Sequence, residues 1–143
     1  MAAYQDTFTS IPLSELATLA QSKKDEGARF INLHAATVAD GFVLTYTFTS
    51  NETVTDNCQV HVTADDVVPA ISPLFLAAFV FENEVHDLFG INIEGIAVDF
   101  KGDFYQISIE TPMAVPTKPE HATAVNTKYG ATVPVKQRKG EEQ

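Results

Sequence analysis

The chain has 143 residues, of which 45% are hydrophobic, and this size and composition fit one domain with a single core. Nineteen acidic and nine basic side chains give a formal net charge of -10 at pH 7, which repels phosphate backbones and argues against a nucleic-acid partner. Cys58 is the only cysteine, so the chain's own cysteines cannot form an internal disulfide, a structural zinc site or an iron-sulfur site.

No segment of the chain is expected to cross a membrane. The longest apolar run, residues 74–81, is far shorter than the roughly 18 to 20 apolar residues that a spanning helix needs. The first six residues lack both the basic and the apolar region of a secretory signal. Together these observations favour a cytoplasmic location.

The first predicted element is an amphipathic helix. Residues 10–15 combine hydroxyl side chains with a proline, which are typical of the first turn of a helix. Gly27 supplies a stop after a polar run. Between these signals, apolar residues recur at helical spacing, at Leu13, Leu16, Leu19 and Ala20.

Three strands are predicted next, because the apolar period changes to two. Residues 29–35 alternate, Asp40-Gly41 supplies a hairpin turn, and residues 42–49 form the clearest alternating run. Residues 58–63 alternate again. We interpret the three runs as an antiparallel meander.

A second helix is predicted between Ser72-Pro73, a cap followed by a first-turn proline, and Gly90. Its apolar stripe is expected to pack against the meander. Residues 96–100 and 104–109 alternate weakly and suggest a further hairpin.

The sequence therefore predicts an α+β fold, an antiparallel sheet of three to five strands with two main helices packed on it. We assign residues 1–111 to this domain. Residues 112–143 lose all periodicity and contain four prolines, so an extended or disordered C-terminal tail is expected. Residues 118–143 carry five basic and three acidic side chains, whereas residues 1–117 carry four and sixteen.

The second predicted helix contains most of the side chains that could bind a metal ion or take part in catalysis. Glu82 and His86 lie one turn apart on one face, whereas Glu84 and Asp87 share a different face. His61 is a candidate third ligand to the Glu82 and His86 pair, which makes a stand-alone metal-dependent enzyme one hypothesis. The other reading is an ordinary amphipathic helix with a polar face, and no motif for nucleophilic or phosphate chemistry is present.

Residues 81–91, with the sequence Phe-Glu-Asn-Glu-Val-His-Asp-Leu-Phe-Gly-Ile, resemble the signature of the complex I thirty-kilodalton subunit family. That signature reads approximately Glu-Arg-Glu-x-Tyr-Asp-Leu-Phe-Gly-Ile. Asn83 replaces the usual arginine, and His86 replaces the usual tyrosine, as in the hydrogenase-type branch. The matching positions are Glu82, Glu84, Asp87, Leu88, Phe89, Gly90 and Ile91.

The chain departs from complex I members immediately after this signature. Those members continue into a Gly-His-Pro and an arginine-rich docking segment, and residues 95–98 contain nothing similar. The resemblance therefore implies the small hydrophilic subunit of an energy-converting, membrane-bound nickel-iron hydrogenase, which couples ferredoxin-linked proton reduction to ion translocation. The alternative is the equivalent subunit of a complex I-like NADH/quinone oxidoreductase.

In either complex, the resemblance implies a scaffold without cofactor, metal or catalytic residues of its own. Its expected partners are the large catalytic subunit and an iron-sulfur small subunit, with membrane subunits reached indirectly from the cytoplasmic side. The signature then becomes the candidate subunit interface, formed by Glu82, Glu84, His86, Asp87, Leu88, Phe89 and Gly90.

Overall fold

The fold is that of a computed structural model, which describes residues 3–114 of the chain. A short 3-10 helix, Leu13–Glu15, leads into the first α-helix. The elements in chain order are β1 Gln5–Ile11, α1 Leu16–Asp25, β2 Arg29–Val38, β3 Gly41–Asn51, β4 Val54–Val62, β5 Val67–Pro69, α2 Ala78–Phe89 and β6 Asn92–Glu94.

The main sheet has four strands in the order β1-β4-β3-β2. β2, β3 and β4 form the antiparallel meander that the sequence predicted, with the turn at Asp40-Gly41. β1 adds to β4 in parallel, so the sheet is mixed. The connection from β1 to β2 carries α1 from one edge of the sheet to the other.

One face of the sheet builds the core, because side chains alternate between the faces of a strand. Both helices contribute buried residues to this core, including Leu16 of α1 and Val85 of α2. The predicted α+β class with two main helices is thus confirmed. The sheet contributes many of the large buried apolar side chains, among them Phe30, Leu44, Tyr46, Phe48 and Val60.

The strand β1 was not predicted from the sequence. Its residues are almost all exposed, and polar side chains dominate it, so it carries no apolar alternation. β1 is held by backbone pairing and by polar contacts to β4. In one of these contacts the Thr7 hydroxyl donates to Asp56 at 2.7 Å. A strand held in this way leaves little trace in hydrophobic periodicity.

The second helix begins later than predicted, at Ala78 rather than at Ser72. The preceding residues form hydrogen-bonded turns instead of a regular helix. Ser72 does not cap the helix, because its hydroxyl accepts a hydrogen bond from the Ala97 amide at 2.8 Å. The helix end was predicted correctly, since Gly90 is the C-terminal cap with a left-handed φ of 73°.

The predicted hairpin of residues 96–100 and 104–109 is wrong. This segment consists of turns and bends, with positive φ at Gly95, Lys101 and Gly102. Its backbone pairs with side chains of α2 rather than with a neighbouring strand. Most of the predicted tail, residues 115–143, lies outside the described residues. Among residues 3–114, no helix has the length and hydropathy needed to cross a bilayer.

Candidate functional site: the signature helix

The signature residues lie on α2 and at its end, and α2 connects the two paired strands of a small parallel sheet, β5 and β6. Three contacts position the helix. The pairing of β5 with β6 joins the segment before the helix to the segment after it. Val85 anchors the middle of the helix in the core, and the Phe89 ring packs edge-on against Phe42, with ring centroids 6.1 Å apart. The polar side chains of the signature radiate from this fixed helix.

Glu82 points into the interior and is fully buried. Its Oε1 accepts hydrogen bonds from the backbone amides of Ile71 at 2.6 Å and Ser72 at 3.1 Å. Glu82 therefore ties the segment that enters α2 to the helix itself. Its other oxygen, Oε2, is buried without a hydrogen-bond partner among the described residues.

This environment favours the neutral form of the Glu82 carboxyl group. Burial raises its pKa above the ordinary value, and the Ser72 hydroxyl with the two backbone amides opposes this only in part. An ionised Glu82 acts electrostatically on the buried Tyr46 phenol. The pKa of this phenol is raised by burial first and by the Glu82 charge second. A proton on Glu82 removes the cost of burying its charge, and the Tyr46 phenol stays neutral beside it.

Asn83 is buried on the other side of α2 and is fully hydrogen-bonded. Its Nδ2 donates to the carbonyl oxygens of Phe79 at 2.7 Å and Val98 at 2.8 Å. Its Oδ1 accepts from the Phe100 amide at 2.9 Å. A side-chain amide can donate and accept at the same time, so it can bind two backbone positions of a segment that has no strand partner. Asn83 thus fastens residues 98–100 to the helix.

Asp87, Glu84 and His86 continue this attachment towards the end of α2. The Asp87 side chain is fully buried, and its Oδ2 accepts from the Tyr105 amide at 2.9 Å. The Tyr105 hydroxyl donates to Glu84 Oε2 at 3.0 Å, an interaction that raises the pKa of the phenol. His86 is 40% exposed, and its Nδ1 lies 3.2 Å from Asp87 Oδ1.

The structure does not bring the three candidate metal ligands together. His61 on β4 instead pairs with Asp40 in the turn between β2 and β3, with 3.1 Å between His61 Nε2 and Asp40 Oδ1. Glu82 faces the interior amides, and His86 lies beside Asp87. Within the part of the chain that the structure describes, no group of three or more His, Cys, Asp or Glu side chains is placed to hold a metal ion.

The sequence singled out α2 but missed its partners, Ser72, Val98, Phe100 and Tyr105. Three of them are engaged through backbone groups, which carry no sequence signal. Tyr105 is engaged through both its amide and its hydroxyl. The one available signal was a group of aromatic residues on both sides of a glycine turn, Phe100, Phe104 and Tyr105.

A family model described as the 30 Kd subunit of respiratory-chain NADH dehydrogenase matches residues 9–100. No curated protein sequence matches the chain.

Two solved structures share the fold. The chain is similar to the trypsin-resistant fragment of Nqo5, with 20% identity and a TM-score of 0.57, over 66% of this chain and 83% of that one. It is also similar to a chain of the membrane-bound sulfane sulfur reductase, an archaeal respiratory membrane complex, with 17% identity and a TM-score of 0.59, over 100% and 88% of the two chains. The family model covers more than half of the sequence, including the whole of α2. The chain therefore belongs to the 30 Kd subunit family of respiratory-chain NADH dehydrogenase.

Proposed function

We propose that the chain is a non-catalytic, hydrophilic scaffold subunit of a membrane-bound respiratory complex, and specifically of an energy-converting nickel-iron hydrogenase. It supports the large catalytic subunit, contacts the iron-sulfur small subunit, and reaches the membrane subunits indirectly from the cytoplasmic side. The chemistry belongs to these partners.

The observation that carries this proposal is the internal use of the signature. Glu82, Asn83 and Asp87, the buried polar residues of α2, hold the chain's own segments in place. Polar side chains that are hydrogen-bonded to backbone amides and carbonyls hold a surface in shape and are not available for a reaction. Such a role suits a protein whose family is defined as a subunit of a larger complex.

The choice of a hydrogenase rests on the segment after the signature. In this chain residues 95–105 turn back along α2, in place of the arginine-rich docking segment of complex I members. His86 at the signature tyrosine position supports the same branch. The second candidate is the equivalent subunit of a complex I-like NADH/quinone oxidoreductase, and the description of the matching family favours it.

Co-purification tests the scaffold role, with the full chain expressed beside a tagged large subunit from the same organism. We expect the chain to form a stable complex with the large subunit and to show no hydrogen or quinone turnover on its own. A large subunit with two pairs of nickel-binding cysteines and hydrogen evolution from reduced ferredoxin supports the hydrogenase. A large subunit without those cysteines, in a complex that reduces quinone, supports the second candidate. Failure of the chain to bind either kind of large subunit would refute both.

A further inference from the structure

Large apolar side chains are exposed on α2 and on the segment that α2 holds. The set, which we call the α2 patch, comprises Leu76, Val80, Val98, Phe100 and Tyr105, with exposed fractions of 63, 37, 43, 42 and 40%. Leu76 lies in the turn that leads into the helix, and Val80 lies one turn later. Clustered exposed apolar side chains of this size mark interaction sites in soluble domains.

The α2 patch is held in place by buried polar groups beneath it. Asn83 bonds the backbone of Val98 and Phe100, and Asp87 bonds the backbone of Tyr105. The Phe104 ring joins the two aromatic members, with centroid distances of 5.1 Å to Phe100 and 5.0 Å to Tyr105. A surface fixed before binding loses little conformational entropy when a partner docks.

The charge around the α2 patch is mostly negative. Residues 30–100 contain ten acidic side chains and no lysine or arginine. Glu84 lies one turn after Val80 on α2, and Asp99 lies between the patch residues Val98 and Phe100. Lys101, next to Phe100, is the first basic residue after Arg29. A complementary partner must therefore present positive charge around an apolar centre.

We propose that the α2 patch docks a protein surface whose apolar side chains are ringed by lysine and arginine. The proposal rests on the proposed function, under which this surface belongs to the large catalytic subunit. It reassigns the signature: Glu82, Asn83 and Asp87 are positioning residues, and their exposed apolar neighbours make the contact. A second copy of the chain suits the patch less well, because residues 1–114 carry four basic and sixteen acidic side chains and repel themselves.

Lysine substitutions in the α2 patch test the proposal, in the full chain with the tagged large subunit. Leu76→Lys and Val80→Lys place a positive charge where the partner is positive. Phe8→Lys on β1 and Val67→Lys on β5 are matched controls, since these side chains are 63 and 47% exposed and lie on other elements. We expect the patch variants to bind about tenfold or more weakly and the controls to bind like the wild type. All four should keep the melting temperature of the wild type, because the changed side chains are exposed.

Four other outcomes overturn the proposal. If the wild type binds the large subunit and both patch variants bind equally well, the docking surface lies elsewhere while the proposed function stands. A wild-type chain that does not bind refutes the proposed function and this inference together. A wild-type dimer that Leu76→Lys converts to a monomer identifies a second copy as the occupant. Faster thiol labelling of Leu76→Cys after removal of residues 115–143, with the buried Cys58 as the slow reference, identifies the chain's own end.

Discussion

Glu82 keeps a carboxyl group in the interior of the domain with only one of its two oxygens hydrogen-bonded. Replacement by alanine strands the Ile71 and Ser72 amides without an acceptor, and each stranded amide costs about 1 to 3 kcal/mol. Glu82→Gln keeps an acceptor for both amides and resembles the protonated carboxyl group. We expect urea unfolding to show a large loss of stability for the alanine variant and a small change for the glutamine variant. Equal losses would mean that the two amides are satisfied in another way.

The same carboxyl group makes stability depend on pH. Burial raises the pKa of Glu82 in the folded chain above its unfolded value of 4.5. The folded chain therefore binds this proton more tightly, so its stabilisation is complete below the unfolded pKa and is lost as pH rises through the folded pKa. Glu82→Gln lacks this term. We expect the variant to gain stability relative to the wild type as the pH rises above the unfolded value, as measured by urea unfolding at each pH. A difference in unfolding free energy that does not change with pH would show that the pKa of Glu82 is not shifted by folding.

Gly90 and Gly27 offer a matched pair for backbone strain, with φ of 73° and 74°. A Cβ on Gly27 meets nothing within 4 Å, whereas a Cβ on Gly90 lies 2.7 Å from Thr111 Cγ2. Gly27→Ala should cost about 1 kcal/mol from the left-handed backbone alone. Gly90→Ala should cost clearly more in a thermal melt, and Thr111→Ser in the same chain should recover the difference because it removes Cγ2. Equal costs for the two alanine variants would mean that residue 111 moves freely away.

At the scale of elements, α2 and the segment after it behave as one unit, because Asn83 bonds both ends of residues 98–100. Asn83→Leu removes these bonds without adding charge. We expect the Phe100 and Tyr105 amides to exchange hydrogen faster while the amides inside α2 stay protected. Glu84→Gln is the control, since it keeps an acceptor for the Tyr105 hydroxyl. Unchanged exchange at Phe100 would show that the segment is held by its apolar contacts instead.

The sequence predicted those elements in which the spacing of apolar residues matches the buried face of the helix or strand. The meander and both helices are of this kind, since Phe42, Leu44, Tyr46 and Phe48 alternate inward along one strand. β1 was missed because polar edge contacts hold it. The start of α2 was placed too early because the Ser72 hydroxyl accepts from the distant Ala97 amide instead of capping a helix. These losses have one cause: a contact between distant residues replaced a local signal.

The candidate site follows the same division. A resemblance of one eleven-residue segment located the site, and the residue types on α2 were known in advance. Their directions were not, because helical spacing gives the face of a side chain but not what covers that face. Glu82 and Asp87 were candidates for a contact with another subunit, yet both point into the domain. That they act as positioning residues is evident only from the backbone groups that they bind.

At the scale of the whole molecule, the core formed by the described residues extends to the last of them, Ala114. The Met113 amide donates to the Leu88 carbonyl oxygen at 2.8 Å, the Thr37 hydroxyl donates to the Met113 carbonyl oxygen at 2.7 Å, and Ala114 packs against the core. These contacts join the end of α2 and the edge strand β2 to the same short segment. A cut after Ala114 therefore keeps every contact described here, whereas a cut after Glu110 removes these three.

We predict that a chain ending at Ala114 melts within a few degrees of the full chain. A chain ending at Glu110 should melt lower by about 4 to 8 °C for each kcal/mol lost, because two hydrogen bonds and one apolar contact disappear. Circular dichroism melts of the three chains at equal concentration give the comparison. The two truncated chains have the same net charge, because residues 1–110 and residues 1–114 both carry sixteen acidic and four basic side chains. Charge repulsion is therefore the same in both. Equal melting of the two truncated chains would show that the segment from Thr111 to Ala114 adds nothing to the domain's stability. A chain ending at Ala114 that fails to fold would show that residues 115–143 are part of it.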